Sequence, residues 1–165
     1  MKFIIKESGV LEKADPGDLG VVIPEGVRNI GDGEFCDPVA LRDIALPEGI
    51  TAIGDGAFAR CDWLAKVTIP GTVTAIGNKA FYDCWSLTDA VIPDSVICIG
   101  DDAFGQCGNL ENVVMSKRVK RIGDRAFEDC ESLARIEIPR DTHIGGRAFY
   151  GCPAAVKYGL CLISE

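Results

Sequence analysis

A set of landmark residues returns every 23 positions along this chain. Five prolines lie 23 or twice 23 residues apart, with Ser116 in the skipped slot: Pro24, Pro47, Pro70, Pro93 and Pro139. An isoleucine followed by glycine keeps the same step, allowing for one residue lost near the end, at Ile30, Ile53, Ile76, Ile99, Ile122 and Ile144. A phenylalanine follows each of them, at Phe35, Phe58, Phe81, Phe104, Phe127 and Phe149. A unit this short cannot bury its own apolar face, so the period predicts six repeats stacked into a solenoid with one continuous core.

The composition agrees with a single folded domain. Of the 165 residues, 47% are hydrophobic and 25% are charged, which is enough apolar content for a core. No stretch approaches the length of a membrane-spanning helix, and the apolar run Phe3–Ile5 is too short for a secretory signal. As written, the chain is expected to be cytoplasmic; an excised piece of a longer protein would fit a cell-surface or secreted location.

The net charge of −8 argues against a nucleic-acid partner. Residues 1–110 hold 8 Lys or Arg against 17 Asp or Glu, whereas residues 111–165 hold 9 against 8. Phosphate binding needs a concentrated basic surface. The one basic run, Lys117, Arg118, Lys120 and Arg121, is more often a solvated face than a ligand site.

The repeat from Leu64 to Leu87 shows how one coil is built. Val67 and Ile69 alternate with polar residues, which is typical of a half-buried strand, and Pro70 ends that strand because proline offers no N–H. Val73 and Ile76 predict a second short extended segment, and Gly77 allows a tight backbone conformation after it.

The segment after that glycine is expected to be a short helical turn. Asn78 starts it, and its equivalents Asp32, Asp55, Asp101 and Asp124 all have side-chain oxygens that can cap free N–H groups of such a turn. Ala80 is small enough for coils to approach closely. The phenylalanines are expected to stack about 5 Å apart inside the coil, at the spacing of neighbouring strands.

Five of the eight cysteines form a column, each three residues after a phenylalanine: Cys61, Cys84, Cys107, Cys130 and Cys152. Zinc sites need ligands paired at spacings such as CxxC, which this sequence lacks. Stacked cysteines with parallel Cβ vectors do not have disulfide geometry. Buried, reduced thiols are therefore expected, and no metal or cofactor is predicted. The state of Cys36, Cys98 and Cys161, which fall outside the column, cannot be predicted from the sequence.

The combined pattern IPxxVxxIGxxAFxxCxxL resembles the BspA-like (Treponema pallidum type) leucine-rich repeat, over roughly residues 19–152. This resemblance implies a right-handed, modestly curved solenoid, mainly β with short helical turns, whose parallel sheet lies on the concave face. It also implies a bacterial protein-binding molecule of the surface or secreted kind, including adhesins of host-associated microbes.

The ends of the chain depart from the repeat. Residues 1–18 are predicted to form a capping hairpin, with strands at Lys2 to Lys6 and Val10 to Lys13, ahead of the repeats at 19–152. Residues 153–165 predict a degenerate final strand. Ala155, Tyr158 and Leu160 align there with Leu133, Ile136 and Ile138. An uncovered strand at this end would favour a homo-oligomer or continuation of the chain.

No motif of a catalytic site is apparent. His143 is the single histidine, and the chain has no P-loop, GxSxG, HExxH or paired carboxylates in an evident cleft. His143 is therefore expected at the surface, and the Asp column is better explained by capping than by acid–base chemistry. The sequence predicts a protein that is not an enzyme.

The outward side of the first strand of each coil is the predicted partner-binding face. One column consists of Asp43, Lys66, Asp89, Asn112 and Arg135, and a second of Ala45, Thr68, Val91, Val114 and Glu137. Trp63 and Trp85 lie at the rim of this face, in neighbouring CxxL segments. Tryptophan is common at interaction hot spots, but both rings could equally pack over the ends of coils.

These features favour a non-catalytic module that binds a protein or an extended peptide. The binding residues would be Trp63, Lys66, Thr68, Trp85, Asp89, Val91, Asn112, Val114, Arg135 and Glu137. A structural or self-assembling segment of a larger adhesin-like protein, working through its end coils at Tyr158 and Leu160, is the alternative. Carbohydrate binding by the two tryptophans is a third.

Overall fold

Each repeat contributes two short strands, and equivalent strands of successive repeats pair side by side. We describe a computed structural model that covers residues 3–5, 10–14, 20–36, 41–153 and 161–163, with the backbone alone in 3–22 and 161–163. Parallel pairing of repeat after repeat builds a β-solenoid with almost no helix. The predicted fold class is confirmed.

The strands form two sheets along the solenoid. The wide sheet, with three or more residues per strand, contains β3 (Gly20–Val22), β5 (Asp43–Ala45), β7 (Lys66–Thr68), β9 (Asp89–Val91), β11 (Asn112–Val114), β13 (Arg135–Pro139) and β15 (Cys161–Ile163). The narrow sheet contains β1 (Phe3–Ile5), β2 (Val10–Ala14), β4 (Asn29–Ile30), β6 (Ala52–Ile53), β8 (Ala75–Ile76), β10 (Cys98–Ile99), β12 (Arg121–Ile122) and β14 (His143–Ile144).

The phenylalanines form one stack through the interior. Neighbouring ring centroids lie 5.1–5.3 Å apart with interplanar angles of 3–12°, from Phe35 to Phe149. The four inner rings, Phe58, Phe81, Phe104 and Phe127, are fully buried. The expected spacing of about 5 Å is therefore confirmed, and it equals the separation that strand pairing imposes on the coils.

The cysteine column is buried beside this stack, and its thiols are free. Each Sγ donates a hydrogen bond to the carbonyl oxygen of the phenylalanine in the preceding coil, as Cys84 does to Phe58, at 3.0–3.2 Å along the column. Burial raises the pKa of Cys107 well above its ordinary value. The column thus fills space in the core with small, soft side chains that each make a weak hydrogen bond. Cys36 and Cys98 form no disulfide with a described residue, and both are exposed.

The segment that carries AlaPhe forms tight turns rather than a continuous helical turn. The N–H groups of Gly56, Phe58 and Arg60 donate to carbonyls one coil further along. The N–H groups between them, such as that of Ala59, donate to carbonyls three residues back in the same coil. Left-handed residues flank the phenylalanine in the five segments from Phe58 to Phe149, for example Lys79 (φ 55°) and Asp83 (φ 57°) around Phe81. Because residues with positive φ stand on both sides of the phenylalanine, alternate N–H groups point toward the next coil. In a helix all of them would point along the helix axis.

The Asp and Asn column acts differently from the predicted caps. Each side-chain Oδ1 accepts a hydrogen bond from a backbone N–H of the next coil at 2.7–2.9 Å, as Asp55 does from Asn78. We call this column the Asx ladder: Asp32, Asp55, Asn78, Asp101 and Asp124. It joins neighbouring coils rather than capping a turn of its own coil, so the capping prediction was wrong.

From Gly54 onward, the glycine that follows the repeat isoleucine has no room for a side chain. Gly77 and Gly100 have no positive φ, so the expected tight backbone conformation is not the reason. A Cβ on Gly100 would lie 2.6 Å from the backbone nitrogen of Asn78 and from the carbonyl carbon of Gly77. Only glycine lets the Asx ladder of one coil lie this close to the backbone of the next.

The two ends add strands to the sheets. β1 and β2 pair antiparallel, and β2 lies parallel to β4 at the start of the narrow sheet. β15 extends the wide sheet by pairing with β13, with Leu162 opposite Ile138. The predicted alignment put Leu160 in that place, so its register was wrong by two residues. Tyr158 and Leu160 themselves lie outside the described residues.

Removal of one ring should open the stack. We expect Phe104→Ala to lower the free energy of unfolding by about 3 to 5 kcal/mol, because a fully buried ring leaves a cavity. Urea denaturation measures this change. Tyr150→Ala, at a ring that is 59% exposed, should cost less than about 1 kcal/mol. A cost below about 1 kcal/mol for Phe104→Ala would contradict the stacked core.

A single methyl group should test the close approach of coils. We expect Gly100→Ala to cost about 3 kcal/mol, because its Cβ would overlap backbone atoms of the preceding coil, which cannot move aside. The matched control is Gly71→Ala, where no atom lies within 4 Å of the added Cβ, and it should stay within about 0.5 kcal/mol of the parent. Equal stabilities of the two variants in thermal or urea unfolding would refute this account.

Candidate functional site

The wide sheet presents the two predicted columns on its outer side. In β5, β7, β9 and β11 the central residue, such as Val67 or Val113, is buried, and its two neighbours point away from the core. Strand register aligns Asp43, Lys66, Asp89, Asn112 and Arg135 in one column. It aligns Ala45, Thr68, Val91 and Val114 in the other, and Glu137 follows on β13.

Asp89 is the most organised charge on this face. Its carboxylate accepts hydrogen bonds from Thr88 Oγ1 at 2.7 Å and from Asn112 Nδ2 at 3.0 Å. The bond from Thr88 and then that from Asn112 lower the pKa of Asp89, because they favour the charged form. A lowered pKa adds stability above the unfolded value of about 3.9, and that stability is lost as the pH falls through the folded value. Asp89 therefore presents a fixed negative charge at neutral pH.

A pair of exposed valines lies beside that charge. Val91 and Val114 are directly opposite each other in the register of β9 and β11, and they are 48% and 60% exposed. Exposed large apolar side chains that touch across strands are uncommon on a surface with this much charge. Among the described residues, these two form the apolar centre of the wide-sheet face.

A shallow depression of about 310 Å³ adjoins this centre between β11 and β13. Its exposed walls are Asn112, Val114, Arg135 and Glu137. An apolar side chain, an amide and charges of both signs thus meet in one place. Such a surface can hold a side chain of a partner while pairing its backbone or its charges.

The two tryptophans are partly packed and partly exposed. Trp85 is 58% exposed, and its ring lies over Gly108 of the next coil, 3.0 Å from the place of an added Cβ. Trp63 is 55% exposed, with the Arg42 guanidinium 5.7 Å from its ring centroid. Both proposed roles, packing over coil ends and presenting a ring to a partner, therefore remain compatible with their positions.

Sequence reasoning overlooked the residues that hold these rings. Gly108 lies 23 residues after Trp85, so the repeat period itself places the glycine beside the ring. Arg42 precedes the column residue Asp43 and carries no comparable signal.

Reactive groups do not converge in the described part of the chain. His143 is exposed on β14 opposite Arg121, and the carboxylates of the Asx ladder accept backbone hydrogen bonds. Within the described residues, no three His, Cys, Asp or Glu side chains are grouped to hold a metal ion. No helix in this part is long and apolar enough to cross a bilayer.

Solved structures of bacterial leucine-rich repeat proteins are similar to this chain. The T. pallidum leucine-rich repeat protein is 25% identical, with a TM-score of 0.76 over 98% of this chain and 96% of that one. A leucine-rich cell surface protein from Faecalibacterium prausnitzii A2-165 is 28% identical, with a TM-score of 0.67 over 92% of this chain and 50% of that one. The chain thus spans half the length of that second protein.

A third similar structure is that of a pneumococcal protein. The vaccine antigen PcpA is 17% identical, with a TM-score of 0.73 over 98% of this chain and 46% of that one, and it supports the fold alone. No curated protein matched the chain.

The family model agrees with the structural comparisons. The model for the BspA type leucine-rich repeat region matches residues 21–156 with six copies. This match spans all six phenylalanines and the five cysteines of the column. Repeats of this family are generally non-catalytic, and they indicate a protein-interaction or structural module. The chain belongs to the BspA-type leucine-rich repeat family.

Proposed function

We propose that this chain is a non-catalytic module that binds a protein or an extended peptide through the outer side of the wide sheet. The observation that carries the proposal is the exposed pair Val91 and Val114, in register at the centre of the face. Apolar groups of this kind gain free energy when a partner removes them from water. Asp89, held by two hydrogen bonds, and the other charged residues of the face surround them and can select among partners.

The size of the face limits the partner. Seven strands spaced by about 4.8 Å span about 30 Å, enough for an interface of about 800 Å² on each partner. The depression between β11 and β13 would take one side chain of that partner, and Asp89 would attract a basic group. Trp85, fixed by its contact with Gly108, would supply a rigid aromatic edge at the rim.

A structural role in a larger surface protein is the second candidate. It is favoured by the likeness to a Faecalibacterium protein described as a cell surface protein and twice as long as the aligned part. β15 also ends the wide sheet, and outside its bond to β13 the described residues give it no partner strand. In this role the end of the solenoid would join a second copy or the next segment of chain.

Capture from the native source should depend on the face. We expect Trp85→Ala and Val91→Glu each to reduce capture of the specific partner about tenfold or more, because the first removes the aromatic contact at the rim and the second puts a charge at the apolar centre. The readout is quantitative affinity capture followed by mass spectrometry. Matched controls are Tyr150→Ala, at a ring exposed to 59%, and Ile97→Glu, at an aliphatic side chain on the narrow-sheet side exposed to 41%.

Two outcomes would reject the proposed face. One is unchanged capture by both face variants, and the other is equal loss in the face variants and their controls. Light scattering of the parent chain addresses the second candidate, since an oligomer that grows with concentration and survives Val91→Glu supports assembly through the ends.

A further inference from the structure

A basic cavity lies where the chain passes from β11 to β12, away from the wide-sheet face. It has a volume of about 250 Å³ and is lined by Ile97, Lys117, Arg118 and Lys120. We call it the basic cavity. All four side chains are exposed, and the volume would hold about eight water molecules at about 30 Å³ each. The basic run of the sequence therefore surrounds a concave site rather than a flat face.

Local sequence explains why the cations point to one side. Ser116 replaces the proline of the other repeats and is buried, and its Oγ accepts a hydrogen bond from the Arg118 N–H at 2.9 Å. Val119 is also buried, which anchors the middle of the segment in the core. Lys117, Arg118 and Lys120 are left on the outer side, next to Ile97 of the preceding coil.

These three cations form no ion pair with a described residue, in contrast to three arginines that follow them in the sequence. Arg121 lies 3.6 Å from Asp101, Arg125 lies 3.2 Å from Asp102, and Arg147 lies 2.8 Å from Glu128. In the part of the chain that the structure describes, Lys117, Arg118 and Lys120 have no carboxylate oxygen within 4 Å. The three cations that line the cavity are therefore open to an external anion.

The adjacent coils do not remove this charge. At the turn position of Lys117, the preceding coil carries Asp94 and the following coil carries Arg140. Asp141 occupies the position of Arg118 in the following coil. Neither Asp94 nor Asp141 forms an ion pair within the described residues. Each acidic neighbour therefore lowers the local positive potential without occupying the nitrogens that line the cavity.

We propose that the basic cavity binds a multiply charged oxyanion, a phosphate or sulfate group carried on a small organic molecule. The Arg118 guanidinium offers a planar fork for two oxygens, and the two ammonium groups offer compact positive charges. Ile97 provides an apolar wall for the carbon skeleton that carries the oxyanion. This site is separate from the wide-sheet face, and it does not depend on the protein partner proposed above.

Binding of two small probes tests the site. Isothermal titration with tripolyphosphate and with a trisulfated disaccharide, at about 50 mM salt, compares phosphate with sulfate while limiting screening. We expect at least one probe to bind, with amide shifts in 1H–15N spectra centred on Ile97, Lys117, Arg118 and Lys120. The probe that binds more tightly shows whether the site prefers a phosphate or a sulfate group.

A charge-matched pair of double variants separates a site from general attraction. Lys117→Gln with Lys120→Gln should weaken binding about tenfold or more, because it removes two charge-assisted contacts. Arg60→Gln with Lys79→Gln changes the net charge equally on another side of the coil and should change affinity less than twofold. Circular dichroism verifies that both double variants are folded.

Three results would overturn the proposal. They are the absence of binding of both probes to the parent protein, equal weakening by the two double variants, and amide shifts centred away from the cavity. The parent spectra decide the question even if a double variant is unstable. Protein capture by the wide-sheet face is measured separately, so failure of one proposal leaves the other standing.

Discussion

The hydrogen-bonded distance between coils governs this molecule. Strand pairing fixes neighbouring coils at about 5 Å, and each side chain must then tolerate its own equivalent at that distance. The phenylalanine rings meet this demand by lying nearly parallel, with centroids 5.1–5.3 Å apart. The cysteine thiols and the Asx ladder meet it by donating or accepting a bond across the gap. The glycines meet it by having no side chain.

The repeat period made the main features predictable, because residues 23 apart occupy the same place in successive coils. The phenylalanine stack, the buried cysteines and the alternation of the wide sheet all follow from this rule. Backbone direction does not follow from it. The left-handed residues Lys79 and Asp83, the acceptor role of Asp55 toward Asn78 and the register of β15 depend on conformations that spacing alone leaves open.

The candidate surfaces divide in the same way. Register alone placed Val91 opposite Val114 and aligned Asp89 with Asn112, so the sequence was sufficient to list both columns. The sequence did not predict which parts of the surface are concave. The depression at Arg135 and the cavity at Lys117 arise from how neighbouring turns leave space between them, which depends on three-dimensional shape. For this reason the sequence alone predicted a solvated face for the basic run at Lys117.

The bonds of the Asx ladder are the same at every step, apart from the last, where Gly146 is the donor. A gene encoding such a chain can therefore lengthen or shorten by duplication or deletion of a complete 23-residue unit. The new junction would recreate contacts that already exist, so the product would keep its core. A change of any other length has to be absorbed within one turn, as in the last coil, where one residue is missing and Phe149 still stacks on Phe127.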